Sequence, residues 1–129
     1  MTLTEALDAL EKAGRIKSRW LPGMLAERWS GPCHGTRRCI DSDWRNGFPG
    51  SDWSPDLSDP MTALGMLLLA REAWGDPSLA LCCIDEAIPS EWAWTDNGLS
   101  PAAAVDLHGE WPTESEAITA AIIAAAEGL

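Results

Sequence analysis

With no tyrosine and a single phenylalanine against eight tryptophans, tryptophan must supply nearly all the aromatic packing of this 129-residue chain. Bases are also scarce: nine Lys and Arg face twenty Asp and Glu, for a net charge of −11. No apolar run is long enough to span a bilayer. The strongest, Met66 to Ala70, sits inside an amphipathic helix pattern. The first residues, MTLTEALDALEKAG, carry acids early and have no apolar h-region, so they do not read as a secretory signal, and a cytoplasmic location is expected. The four cysteines are then expected as reduced thiols. No Gly-rich strand–loop–helix unit occurs, which removes the usual support for nucleotide binding.

The bases that do occur are concentrated at one end. Residues 1–50 hold eight Lys and Arg against six acids, while residues 51–129 hold Arg71 alone against fourteen. The acidic part should repel nucleic acid and attract basic protein surfaces. A DNA contact through Arg15, Lys17, Arg19, Arg37 and Arg38 with Trp20 is opposed at long range by that remainder.

The length predicts one domain, residues 1–129, in three stretches: an N-terminal helical segment (1–29), a Trp/Gly/Pro-rich loop (30–57) and a helix–meander–helix core (58–129). Thr2-x-x-Glu5 is a capping box, followed by Leu3, Ala6, Leu7 and Leu10 at helical spacing and Gly14 as a stop. A short second helix is expected after Pro22, and a short strand around Arg37 to Ile40. Trp44, Phe48 and Trp53 are candidate pins for the long loop.

Asp59 caps, and Pro60 opens, a central helix running to Gly75. Its face is expected at Leu64, Leu67 and Leu68, widened by Met61, Met66, Leu69 and Ala73, which predicts burial on more than one side. After the Asp76-Pro77 turn, Leu79 to Ile84 reads as a strand covered on both faces. Glu91 to Thr95 alternates and sends Trp92 and Trp94 to one face. Asp96-Asn97-Gly98 is a turn, and Ala102 to His108 a third strand. Thr113-x-x-Glu116 is a second capping box, opening a helix with Ile118, Ala121, Ile122 and Ala125 as its stripe and Gly128 as its end. The expected fold class is α/β (α+β): a small antiparallel three- to four-stranded sheet with helices on both faces.

The segments SPDLSDPMTALGMLLLAREAW and PTESEAITAAIIAAAE, in this order around a short meander, resemble the small phage proteins of the phage ABA sandwich domain family. The likeness covers about residues 53 to 127 and more loosely the first helix. It implies a phage or prophage origin, hence a host-cell cytoplasm, and a sheet with helices on both faces. It brings no assigned reaction and no functional residues. The Cys- and Trp-rich stretch from 29 to 53 departs from the family.

The stretch GPCHGTRRC looks like half of a metal site. Structural zinc takes four N or S ligands, commonly from C-x2–4-C pairs, whereas Cys33 and Cys39 are in C-x5-C spacing. Cys82 and Cys83 are neighbours on a strand and point to opposite faces, so they read as buried small hydrophobes. No metal and no cofactor are expected, and GPCHGTRRC becomes a Gly-bordered loop presenting Arg37 and Arg38. No activated nucleophile appears: Cys33 and His34 are adjacent, and His108 with Asp106 merely share a strand face. Glu114 and Glu116 suit the first turn of a helix, and Asp56 and Asp59 a turn and a cap.

Recognition is left. Trp and Arg are the residues most enriched at interface hot spots. Trp20, Trp29, Trp44 and Trp53 are candidates, at least two of them expected to cover the core, while Trp74, Trp92 and Trp94 are expected inside it and Trp111 at a rim. The expected function is that of a non-enzymatic, phage-encoded acidic binding protein. It would inhibit a host defence complex, in the manner of anti-CRISPR or DNA-mimic proteins, by protein–protein contact. The expected partner is a host protein with a basic surface, with no direct nucleic acid and no membrane. The docking face is assigned to Asp85, Glu86, Glu91, Asp96, Asp106 and Glu110. Two other functions fit the same residues: a small zinc- or thiol-dependent protein centred on the Cys33/His34/Cys39 loop, and a phage structural or assembly component in which self-association as a homo-oligomer would dominate.

Overall fold

A computed structural model of the chain describes residues 1–29, 31–33, 35–39, 53–84, 91–95 and 110–129. The elements run α1 (Leu3–Lys12), β1 (Ala26–Trp29), β2 (Thr36–Cys39), β3 (Ser54–Pro55), α2 (Pro60–Trp74), β4 (Ala80–Ile84), β5 (Glu91–Thr95) and α3 (Glu114–Glu127). Among the described residues, three helices with small antiparallel ladders make an α+β protein, the class the sequence predicts. The strands divide into two ladders, β2-β1-β3 and β4-β5. The expected strand at 102–108 and the turn at 96–98 lie outside the described residues.

Each helix begins where a side chain can satisfy its orphan amides. Thr2, Asp59 and Thr113 accept hydrogen bonds from the amides of Glu5, Thr62 and Glu116. Gly75 ends α2 in the left-handed conformation, with φ of 65°, a position that glycine fills at no steric cost. Two matching turns bracket α2. Asp56 Oδ1 accepts from the amide and hydroxyl of Ser58, and Asp76 Oδ1 does the same for Ser78. Both Asp residues are buried, and the turns satisfy polar atoms that would be costly to leave bare.

The core is shared by all three helices. Ala6, Leu7 and Leu10 of α1, Met66, Leu69, Ala70, Ala73 and Trp74 of α2, and Ile118, Ala121, Ile122 and Ala125 of α3 form one cluster. Alanines on α3 let α1 and α2 approach closely on its two sides. Two indoles then stitch α3 in place: Trp74 Nε1 donates to the carbonyl of Ala121 at 3.0 Å and Trp94 Nε1 to that of Ala117 at 2.8 Å. Trp20 and Trp53 also cover the core, as expected of at least two loop tryptophans. Trp92 is half-buried and outside that cluster. Trp44 and Phe48 lie outside the described residues.

Three expectations are corrected. No helix follows Pro22. Pro22-Gly23 turns the chain, with Gly23 at φ of 87°, and Ala26–Trp29 pairs as β1 with both β2 and β3. On α2 the expected stripe is split: Met66, Leu69 and Ala73 are buried as expected and Leu67 is half-buried, but Met61, Leu64 and Leu68 are turned outward, 56%, 49% and 45% exposed. The reason is Gly65, which sits where a Cβ would stand 2.8 Å from the sulfur of buried Met24. A glycine inside a helix costs about 1 kcal/mol, and here the close seat for Met24 offsets it. Finally, Cys82 is exposed on β4 and is not a buried thiol.

Candidate functional site

The Gly-bordered loop is a hairpin turn. Trp29 pairs with Thr36, Gly35 donates its amide to the carbonyl of Gly31 at 2.8 Å, and both glycines take positive φ. Cys33 is exposed at this tip, whereas Cys39 pairs with Ala26 at the far end of β2. A strand advances about 3.4 Å per residue, so the length of β2, about 10 Å, separates the two positions. The Cys39 side chain lies outside the described residues. His34 is outside the described residues. Among the described residues, no three His, Cys, Asp or Glu converge on a common point.

Four bases of the N-terminal half, Lys12, Arg15, Arg19 and Arg28, have partners within the fold, as does Arg71 of the second half. Lys12 pairs with Asp8 at 2.8 Å, and Arg19, only 11% exposed, reaches Asp8 at 3.3 Å and Glu11 at 3.8 Å. Arg15 donates to the carbonyl of Ala73, at the negative end of the α2 dipole. Arg71 donates from Nε to the carbonyl of Leu79 at 2.6 Å. Arg28 lies 5.1 Å above the Trp53 ring. The hydrogen bond from Lys12, with Arg19 nearby, holds Asp8 below the usual carboxylate range. That stability is present above the ordinary Asp pKa and is lost as pH falls through the lowered value.

The acids of the second half are disposed differently. Glu91, Glu110, Glu114, Glu116 and Glu127 have no ion pair among the described residues. Of the six residues assigned to the docking face, the structure brings together Glu91 and Glu110. Asp85, Glu86, Asp96 and Asp106 lie outside the described residues. Glu91 opens β5, opposite Ile84 of β4. The next residue, Trp92, exchanges backbone hydrogen bonds with Trp111 at 2.8 and 2.9 Å. This bridge sets Glu91 and Glu110 diagonally across one face, and their carboxyls share a hydrogen bond. Trp111 is therefore a strand partner, half-buried.

Its hydrogen bond with Glu110 pushes the Glu91 pKa up, with burial and like-charge repulsion adding to the effect. A raised pKa means the folded chain binds this proton more tightly than the unfolded chain. The resulting stability is complete below the ordinary Glu range and is lost as pH rises through the raised value. We expect Glu110→Gln to flatten this step, because an amide donates to Glu91 whether or not a proton is shared. Urea midpoints of both proteins across the acidic range check it; parallel curves refute it.

One feature went unread in the sequence. A groove of about 480 Å³ runs along α3, lined by Ala120, Ile123 and Ala124 with Ser115 and Thr119 beside them and Glu116 and Glu127 towards the ends of that strip. The available signal was Glu127, an acid in the last turn of a helix that has no base there.

No family model matches the chain, and no curated protein or solved structure shows significant similarity to it.

Proposed function

We propose that this chain is a non-enzymatic acidic binding protein that docks on a basic surface of another protein, as a DNA mimic does. The single observation carrying this reading is the division of charge in the fold. Lys12, Arg15, Arg19 and Arg28 of the N-terminal half have partners within the fold, while Glu91, Glu110, Glu114, Glu116 and Glu127 face no cation of their own among the described residues. An acidic surface left in this state attracts cationic partners and repels nucleic acid. The phage likeness of the α2 and α3 segments adds a context: the partner is a nucleic-acid-binding complex of a bacterial host defence system, and binding inhibits it.

The test is a competition. A CRISPR effector complex holding labelled duplex DNA is titrated with the protein at low and at high ionic strength. DNA should be displaced at low salt, and displacement should fade as screening shortens the reach of the carboxylates. The triple variant Glu91→Gln, Glu110→Gln, Glu114→Gln should displace several-fold less well. A panel of such complexes that all keep their DNA, or a triple variant that competes as well as the parent, sinks the proposal.

A further inference from the structure

We infer that the α3 groove is a docking seat for a basic, amphipathic protein segment: one with a small apolar centre and a Lys or Arg near each end. This rests on the acidic-docking function proposed above and names the seat and the shape of the partner. The lining between the two glutamates is mostly apolar, with Thr119 its polar member, and it is only partly covered: Thr119, Ala120, Ile123 and Ala124 are each half-buried. Glu116 and Glu127 are both exposed and stand on the same wall. Their separation in sequence is about three helical turns, which returns both to one face about 16 Å apart. An apolar strip closed at both ends by carboxylates is complementary to an apolar strip closed at both ends by cations.

Glu127 supplies an independent reason to look here. At the C-terminal turn its charge opposes the negative end of the helix dipole, and α3 carries no base to relieve it. Glu116, in the first turn, is favoured by the same dipole. A carboxylate held where it lowers helix stability is the pattern expected when binding and stability pull in opposite directions.

The experiment uses the full chain and three labelled synthetic peptides of equal length, followed by fluorescence polarisation at low salt. The first has Lys at both ends and Leu and Ala on one face between them. The second keeps the Lys residues but has Ser and Gln in the centre. The third replaces each Lys of the first with Glu. The first peptide should bind several-fold more tightly than the second, and the third should not bind. Glu127→Gln should weaken the first peptide several-fold while unfolding no earlier on heating than the parent. A merely structural Glu127 would not give that opposition. Ala120→Gln, which keeps a good helix former but makes the floor polar, should bring the first peptide down to the second. Equal binding of the first two peptides with no effect of Ala120→Gln overturns the groove and leaves the acidic function standing. Failure of both cationic peptides to bind overturns both, and binding of the third overturns the role of charge.

Discussion

Trp74→Ala is expected to remove about 3–5 kcal/mol of stability, the range for deleting a large buried aromatic. Trp74 is 6% exposed, sits at the last turn of α2 and packs in the cluster common to all three helices. Alanine leaves a void between α2 and α3 that neighbouring alanines, having no side chain to swing, cannot fill. It also removes the indole donor to Ala121. Since a domain of this size is stable by only about 5–15 kcal/mol, the variant should be marginal at best. Trp74→Phe separates the two effects, because it keeps a ring and loses the donor, at an expected cost of about 1 kcal/mol for the hydrogen bond plus a smaller packing loss. Denaturant midpoints with unchanged slopes provide the measurement. A loss under about 1 kcal/mol for the alanine variant would show that Trp74 does not join these helices.

The second large effect is expected at Thr62. Its side chain is completely buried, accepts a hydrogen bond from the amide of Leu25 at 2.7 Å and donates one to Asp59 Oδ2 at 2.7 Å. Thr62 therefore joins the cap of α2 to the chain entering β1. Valine has nearly the same shape, so Thr62→Val tests the hydroxyl alone. It leaves the Leu25 amide without its acceptor, a loss of about 1–3 kcal/mol when such a group is shut away from water. Thr62→Ser restores the oxygen and should recover most of it. Hydrogen exchange at the Leu25 amide should speed up in the valine variant and stay slow in the serine one; equal protection in both would refute the link.

Thr62 also marks the limit of what the sequence discloses. The caps of α1, α2 and α3 were legible because they are local: a hydroxyl or carboxylate three residues before the amide it serves. β5 was legible because EWAWT alternates between two kinds of side chain. The buried face of α2 was not, because α2 is apolar nearly all round and period alone cannot choose a side. Its orientation is set by Gly65 against Met24, a contact between distant segments. β1 was hidden for a related reason: AERW carries no strand period of its own and is extended because β2 and β3 pair with it. At the candidate site, the pairing of Glu91 with Glu110 depends on the bridge from Trp92 to Trp111, and no spacing rule connects residues so placed. The groove on α3 leaves little mark in the sequence, because a first-turn acid such as Glu116 is favoured by the helix dipole with or without a groove beside it.

The packing of α1 against α3 has a consequence for how the chain is made. Leu7 and Leu10 are translated roughly a hundred residues before Ile118 and Ile122, which help to shelter them. At the usual pace of synthesis that interval lasts about 5–20 seconds. For that time α1 is a sticky amphipathic segment without its α3 partner, open to ribosome-associated chaperones. Nascent chains stalled before α3 emerges should be readily cut by protease within α1, and chains stalled after it should resist.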